Sequence, residues 1–208
     1  MGALSGLPVF IAYNANVDGI VRVDAELEAA LDRPTEPGER APPSRLASKR
    51  DLATAITHTM ATGQGDEVAM TDAFAAALEA DLEPDSQQLG GQTGIMTNLV
   101  AALGAAPIAY TYLLSERQRA LFEHPEAIRY PAVEDGQVQF VPLREAPVAD
   151  RMKLNWVFEF GADDQLFGVR ASEDTRFIAA SRPPEFDLTA GDLDAHVDQV
   201  GKVVEGAL

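Results

Sequence analysis

The 208-residue chain carries 33 acidic residues against 16 basic ones, a net charge of −17, with an apolar fraction of 46%. A surface this uniformly negative repels nucleic acid and anionic membranes, and no apolar run reaches the roughly 20 residues needed to span a bilayer. The chain has no cysteine, which excludes disulfides, thiolate chemistry and cysteine-ligated zinc.

The acids are spread from Asp18 to Glu205 instead of forming a tail, and the only lysines are Lys49, Lys153 and Lys202. That pattern fits a surface built for concentrated salt, as in a halophile's cytosol, where counterions screen self-repulsion. With no basic segment ahead of an apolar stretch at the N-terminus, the expected location is the cytoplasm. His58, His124 and His196 are far apart and show no ligand spacing.

Pro8-Val9-Phe10-Ile11-Ala12-Tyr13 is a nearly continuous apolar run, the pattern of a buried strand. It ends in Asn14-Ala15-Asn16-Val17-Asp18-Gly19, which reads either as polar side chains released at a strand's C-terminal edge or as an Asx-rich turn. If the backbone stays extended, Asn16 and Asp18 share a face. Ile20 to Val23 then alternates like a half-exposed strand.

One or two helical turns are expected over Glu26 to Leu31, and Arg33 to Ser44, with four prolines, reads as an exposed linker. Leu46, Leu52, Ala55, Ile56 and Met60 form a helical face that stops near Gly63. Thr62 to Met70 is predicted to be a turn bearing Asp66 and Glu67, and Thr71 is the expected N-cap of the next helix.

Leu89-Gly90-Gly91-Gln92-Thr93-Gly94-Ile95-Met96-Thr97-Asn98 follows, a glycine-rich turn entering the apolar segment Leu99 to Gly104. Glycines let backbone N–H groups approach a ligand closely, and the following helix offers its positive end. The spacing is not that of the dinucleotide fingerprint.

Pro107 to Leu114 is the next strand and Ser115 to Phe122 the helix after it; this alternation indicates a parallel sheet covered by helices. Then come short runs at Ile128 to Val133, Gln137 to Pro142, Leu154 to Phe160, Leu166 to Arg170 and Arg176 to Ala180. Their turns suggest antiparallel hairpins and a β-rich lid. A final helix starts at Thr189 or Asp192 and carries Leu193, Val197 and Val200.

The expected fold is α/β. Residues 1–19, 89–127 and 184–208 form a partial large domain; 20–88 and 128–183 form the lid and connecting helices.

In this order, Asn14-Ala15-Asn16-Val17-Asp18, Gly90-Gly91-Gln92-Thr93-Gly94-Ile95-Met96 and Thr175-Arg176-Phe177-Ile178 resemble motifs of the archaeal ADP-dependent glucokinases and phosphofructokinases. The resemblance covers nearly the whole chain. It implies a ribokinase-like parallel sheet with a discontinuous lid and, by family length, the N-terminal half of such an enzyme.

It further implies that Asn16 and Asp18 contact sugar hydroxyls, that Gly91 and Gln92 form the sugar-binding turn, and that Glu67 is placed like an acid that helps hold glucose. Arg176 is similar to the family arginine that approaches the nucleotide phosphates, a task its planar charged fork suits. Asn155 stands where many members have histidine.

The activity so implied is transfer of a phosphoryl group from ADP, with Mg²⁺, to glucose or fructose 6-phosphate in glycolysis. A sugar phosphate calls for basic side chains at the pocket, and Lys153, Arg170 and Arg182 are those near the lid.

The family's base is the aspartate of a late Gly-x-Gly-Asp motif, and a separate acidic motif serves the metal. Gly63-Gln64-Gly65-Asp66 has the letters of the first but precedes the sugar turn, so Asp66 is set aside as the base. Two alternatives remain: a silent sugar-binding or regulatory fragment, and an ATP-using ribokinase relative, which the turn and the Thr175 to Ile178 segment fit less well.

The charge generates one expectation directly. The thermal unfolding midpoint should rise from dilute to molar KCl, because added ions screen carboxylate repulsion. A midpoint that stays level or falls, followed by circular dichroism, would contradict it.

Overall fold

The computed structural model describes residues 4–182 and 197–205. The predicted helix start at Thr189 or Asp192, Leu193, His196 and the 184–196 portion of the expected large domain lie outside the described residues.

In chain order, β1 (Pro8–Tyr13) and β2 (Asn16–Arg22) precede α1 (Ala25–Ala30), and after the proline-rich linker come α2 (Lys49–Thr62), β3 (Asp66–Ala69) and α3 (Asp72–Asp81). Next, β4 (Ser86–Gly90) runs directly into α4 (Gly91–Ala102), followed by β5 (Ala106–Thr111) and α5 (Glu116–Ala120). The remaining strands are β6 (Arg129–Glu134), β7 (Gln137–Pro142), β8 (Leu154–Phe160), the short β9 (Gln165–Leu166) and β10 (Val169–Arg170), and β11 (Thr175–Ala180); α6 is Val197–Glu205. The described chain divides into two compact units, one of residues 4–17, 89–153 and 197–205, the other of Asp18–Gln88 and Leu154–Arg182.

The first unit is built on a four-stranded sheet of order β1-β5-β6-β7. β1 and β6 flank β5 in parallel, and β7 returns antiparallel to β6. β5 is buried from Pro107 to Thr111, as its apolar run predicts, whereas β1, at the edge of this sheet, is only half-buried throughout.

Tyr130 and Ile128 pack with Tyr110 and Leu143 in the core of this unit. The Tyr130 hydroxyl donates to the Thr111 carbonyl at 2.7 Å, and burial pushes its phenol pKa well above the usual value. All four tyrosines meet here: Tyr13 stacks on Tyr112 at 5.1 Å between centroids, and Tyr110 contacts Tyr13, Tyr112 and Tyr130. α4 packs on β1 and β5, burying its small residues Thr93, Gly94, Thr97 and Ala101 with Val100 and turning Ile95, Met96 and Leu99 outward.

The 128–153 stretch, expected in the lid, belongs to this first unit. β6 and β7 do form the expected hairpin, but β6 also joins β5 in parallel, with Ile108 opposite Arg129. Hairpin signals report the local pairing; the sheet that a hairpin joins is set by long-range contacts.

The second unit carries a five-stranded sheet of order β3-β11-β8-β2-β4. β11 runs antiparallel to β8 and parallel to β3. Trp156, Phe158 and Phe177 are fully buried, as are Leu52, Ile56 and Met60 of α2, which packs against β11. α2 is capped by Ser48, whose hydroxyl accepts from Asp51 N–H at 3.1 Å, and closes at Gly63 with φ of 69°.

Three local expectations change. The predicted turn from Thr62 to Met70 contains β3, hidden because its two exposed acids leave only Val68 and Met70 to signal an inward face. The run from Leu166 to Arg170 is a tight hairpin of β9 and β10, broken by Phe167 and Gly168 at φ of 52° and 86°. Instead of an Asx-rich turn, Asn16 through Arg22 is one strand.

α3 gives a test of the local signals. Thr71 is extended, and its hydroxyl accepts from Phe74 N–H at 3.2 Å, capping a helix that buries Phe74 and Leu78. Thr71→Ala should cost about 1 kcal/mol and Thr71→Ser much less. Denaturant midpoints give the comparison, and equal midpoints for Ala and wild type would count against the cap.

Candidate functional site

The chain passes between the units at Val17–Asp18, so the predicted site residues fall into two sets, each described within its own unit. In the first unit the organising feature is the entry to α4. The glycine-rich stretch is not a turn followed by a helix: the helix starts at Gly91 itself, with Gly90 extended as a cap that offers no side-chain hydrogen bond. Backbone donors at the start of α4 are therefore left to be met by backbone or by ligand. Thr93 N–H is met by the Asn14 carbonyl at 2.9 Å.

Gly91 has φ of 74°, and a Cβ there would stand 2.3 Å from the Asn14 carbonyl oxygen and 2.9 Å from Asn16 Oδ1. Only glycine fits such an approach. Asn16 is 3% exposed, held against this backbone, while Gln92 on the next position is exposed. Thus the structure joins Asn16 to Gly91, with Gln92 at the same helix entry.

Lys153, read from sequence only as a basic residue near the lid, belongs to this set. Its ammonium donates to Asn14 Oδ1 at 3.1 Å, and its carbonyl accepts from Val17 N–H at 2.9 Å. Asn14 therefore binds through both ends: its carbonyl caps α4 and its side chain receives the lysine.

In the second unit, one face of the sheet opens onto a depression of about 830 Å³. Glu67 of β3, Arg176 of β11 and Glu159 of β8 line it, along with Asp66, Arg22 and Asp174. Register explains the grouping. Arg176 lies directly opposite Glu159, and Glu67 lies opposite Ile178, the next residue along that face of β11.

Glu159 sits between buried Phe158 and Phe160 and is itself exposed. The alternation in Phe-Glu-Phe was the signal for its outward position, though not for its neighbour. Asp18 is half-buried on β2, outside the depression's lining.

Asp66 is exposed, and its Oδ1 accepts its neighbour's N–H, from Glu67, at 2.8 Å. Arg182 approaches Glu67 at 3.6 Å, and Arg170 pairs with Asp163 at 2.9 Å on an exposed loop. Asn155, half-buried on β8, has an Oδ1 that is buried without a hydrogen-bond partner among the described residues.

A family model described as the ADP-specific Phosphofructokinase/Glucokinase conserved region matches residues 7–208. The chain belongs to this family.

Among curated relatives, the ADP-specific phosphofructokinase of Pyrococcus abyssi is 32% identical, covering 100% of this chain and 49% of its own length. That of Pyrococcus horikoshii is 30% identical, with 97% and 48% covered. The fold is that of solved family members. A phosphofructokinase from Pyrococcus horikoshii with AMP superposes with a TM-score of 0.73 at 29% identity over 97% of this chain and 47% of that one. An ADP-dependent kinase in complex with fructose-6-phosphate and ADPbetaS gives 0.75 at 29% identity, over 96% and 40%. The chain spans about half the length of the curated relatives it matches.

The resemblance implies a divalent ion accompanying the nucleotide. Among the described residues no group of three His, Cys, Asp or Glu side chains gathers to hold a metal. The acids of the depression do not gather into such a site.

The contact at Gly91 yields a comparison. Gly91→Ala forces both a positive φ and a clash with fixed backbone, and should destabilise by about 2–4 kcal/mol. At Gly94 the atoms nearest to a Cβ would belong to the Leu89 side chain, the first at 2.6 Å, and not to backbone. Gly94→Ala should therefore lose less, and thermal melts ranking the two in the opposite order would refute the reading.

Proposed function

We propose that the protein carrying this chain is an ADP-dependent sugar kinase that moves the β-phosphoryl group of ADP onto a hydroxyl of fructose 6-phosphate or glucose. The observation that carries this reading is the helix entry at Gly91. A buried asparagine, an exposed glutamine and a helix start without a side-chain cap gather around one glycine, an arrangement suited to a hydroxyl-rich ligand.

Asn16 presents an amide able to donate and accept, Gln92 adds a second amide, and Asp18 accepts hydrogen bonds from hydroxyls. Gly91 keeps the backbone close enough for its N–H to reach the sugar. On the second unit's sheet, Arg176 receives the phosphates. Among the described residues its guanidinium has no carboxylate within ion-pairing distance, so it is available to an anion. Glu67 is an acceptor for a further sugar hydroxyl when the sugar is glucose.

Lys153 favours the sugar phosphate of the two acceptors. Its ammonium is anchored on Asn14, the residue whose carbonyl closes the sugar turn, and a fixed cation beside that turn suits a phosphate monoester. The names of the two Pyrococcus relatives, both ADP-specific phosphofructokinases, agree.

In the reaction, the sugar hydroxyl oxygen forms a bond to the β-phosphorus while the bond to the bridging oxygen breaks, releasing AMP. The hydroxyl proton passes to a base, a role that Asp66 does not take. It precedes the sugar turn in the chain, and it stands exposed on β3 with its Oδ1 accepting the Glu67 N–H. This chain's residues bind and orient the acceptor and steady the donor's charge.

Incubating the protein with ADP, Mg²⁺ and fructose 6-phosphate in concentrated salt should release AMP and yield the bisphosphate. Asp18→Ala should lower kcat/KM for the sugar by about 10- to 100-fold, the loss expected for a charge-assisted hydrogen bond. Absence of AMP with either sugar overturns the proposal, and ATP outperforming ADP redirects it to the ATP-using relatives.

A further inference from the structure

The depression on the second unit's sheet contains a second arginine to which the sequence motifs assign no role. Arg22 is exposed at the end of β2, where its backbone N–H donates to Asp85 Oδ2 at 2.7 Å and fixes the strand end. The next residue, Val23, donates its N–H to the Glu159 carbonyl at 3.0 Å, which ties this end of β2 to β8 at Glu159. On the other side of β8, Arg176 of β11 lies directly opposite Glu159. Arg22, Glu159 and Arg176 therefore form a row across three neighbouring strands, and all three line the same depression.

The charges alternate along the row. A carboxylate between two guanidiniums lets two like charges share one face at little cost in repulsion. Strands two apart in a sheet lie about 10 Å from each other, a gap that two long guanidinium side chains can close over one ligand. Beyond Arg176 the row meets Gly65 of the loop before β3, where a Cβ would come within 3.3 Å of the Arg176 carbonyl. Gly65 itself sets no side chain beside the arginine. Among the described residues neither arginine has a carboxylate within ion-pairing distance.

We infer that Arg22 is a second phosphate-binding residue, which with Arg176 grips the diphosphate of a nucleoside diphosphate from either side of Glu159. The inference rests on the kinase reading above. Two planar forks spaced across the sheet match two phosphates better than one, so the pair distinguishes a diphosphate from a monophosphate.

Calorimetric titration of the full chain with ADP and with AMP tests this. Arg22→Ala should weaken ADP binding by about tenfold and AMP binding by less than about twofold, with Arg22→Lys recovering part of the loss. Arg45→Ala, which removes the same charge from another exposed site of the unit, should leave both unchanged. A purely structural role for Arg22 would weaken both ligands equally.

If Arg176→Ala weakens ADP and Arg22→Ala does not, or if Arg45→Ala matches Arg22→Ala, the inference is wrong while the kinase reading stands. A wild-type chain indifferent to ADP overturns both.

Discussion

The first unit depends on a contact between two stretches of backbone. The Asn14 carbonyl accepts the Thr93 N–H at 2.9 Å, and the same oxygen would lie 2.3 Å from any Cβ at Gly91. Residues nearly eighty positions apart are thereby locked together without a side chain intervening. The lock seats the start of α4 against the chain leaving β1, buries Asn16, and leaves Asn14's amide to anchor Lys153. A hydrogen bond of this kind contributes only about 1 kcal/mol net. Its structural weight comes from geometry: the approach is so close that residue identity at position 91 is decided by volume.

The second unit solves a different problem. Its sheet buries Trp156, Phe158 and Phe177 on one side and exposes charged residues on the other. In a chain of net charge −17, an exposed face would be expected to be uniformly acidic. Here arginines alternate with glutamate instead, because strand register, unlike composition, decides which side chains become neighbours. Two guanidiniums are thus set among the carboxylates Asp66, Glu67, Glu159 and Asp174 on one face.

Much of this was legible in the sequence. Thr71 announced a helix start, Gly63 a helix end, and the apolar runs at β5 and β8 their strands, because caps and alternation are local. Asn16, Gly91, Gln92 and Arg176 were named from ordered motifs.

What escaped was non-local. β3 offers two acids and two apolar residues, too little pattern without its partner β11. The hairpin at 129–142 looked like part of the lid because nothing in its own residues says that β5 is its neighbour. The alternation Phe158-Glu159-Phe160 turns Glu159 outward, yet its place opposite Arg176 exists only in the paired strands. Lys153 had no sequence signal beyond its charge; its partner Asn14 is 139 residues away.

The aromatic residues have a practical consequence. All four tyrosines lie in the first unit, and the single tryptophan, fully buried, lies in the second. Nature has in effect labelled each unit with its own chromophore. Red-edge excitation addresses Trp156 alone, and the tyrosine band follows the other unit, so the two can be watched melting independently in one unmodified sample. Whether they unfold as one cooperative body or as two then becomes a question of whether the two optical signals coincide.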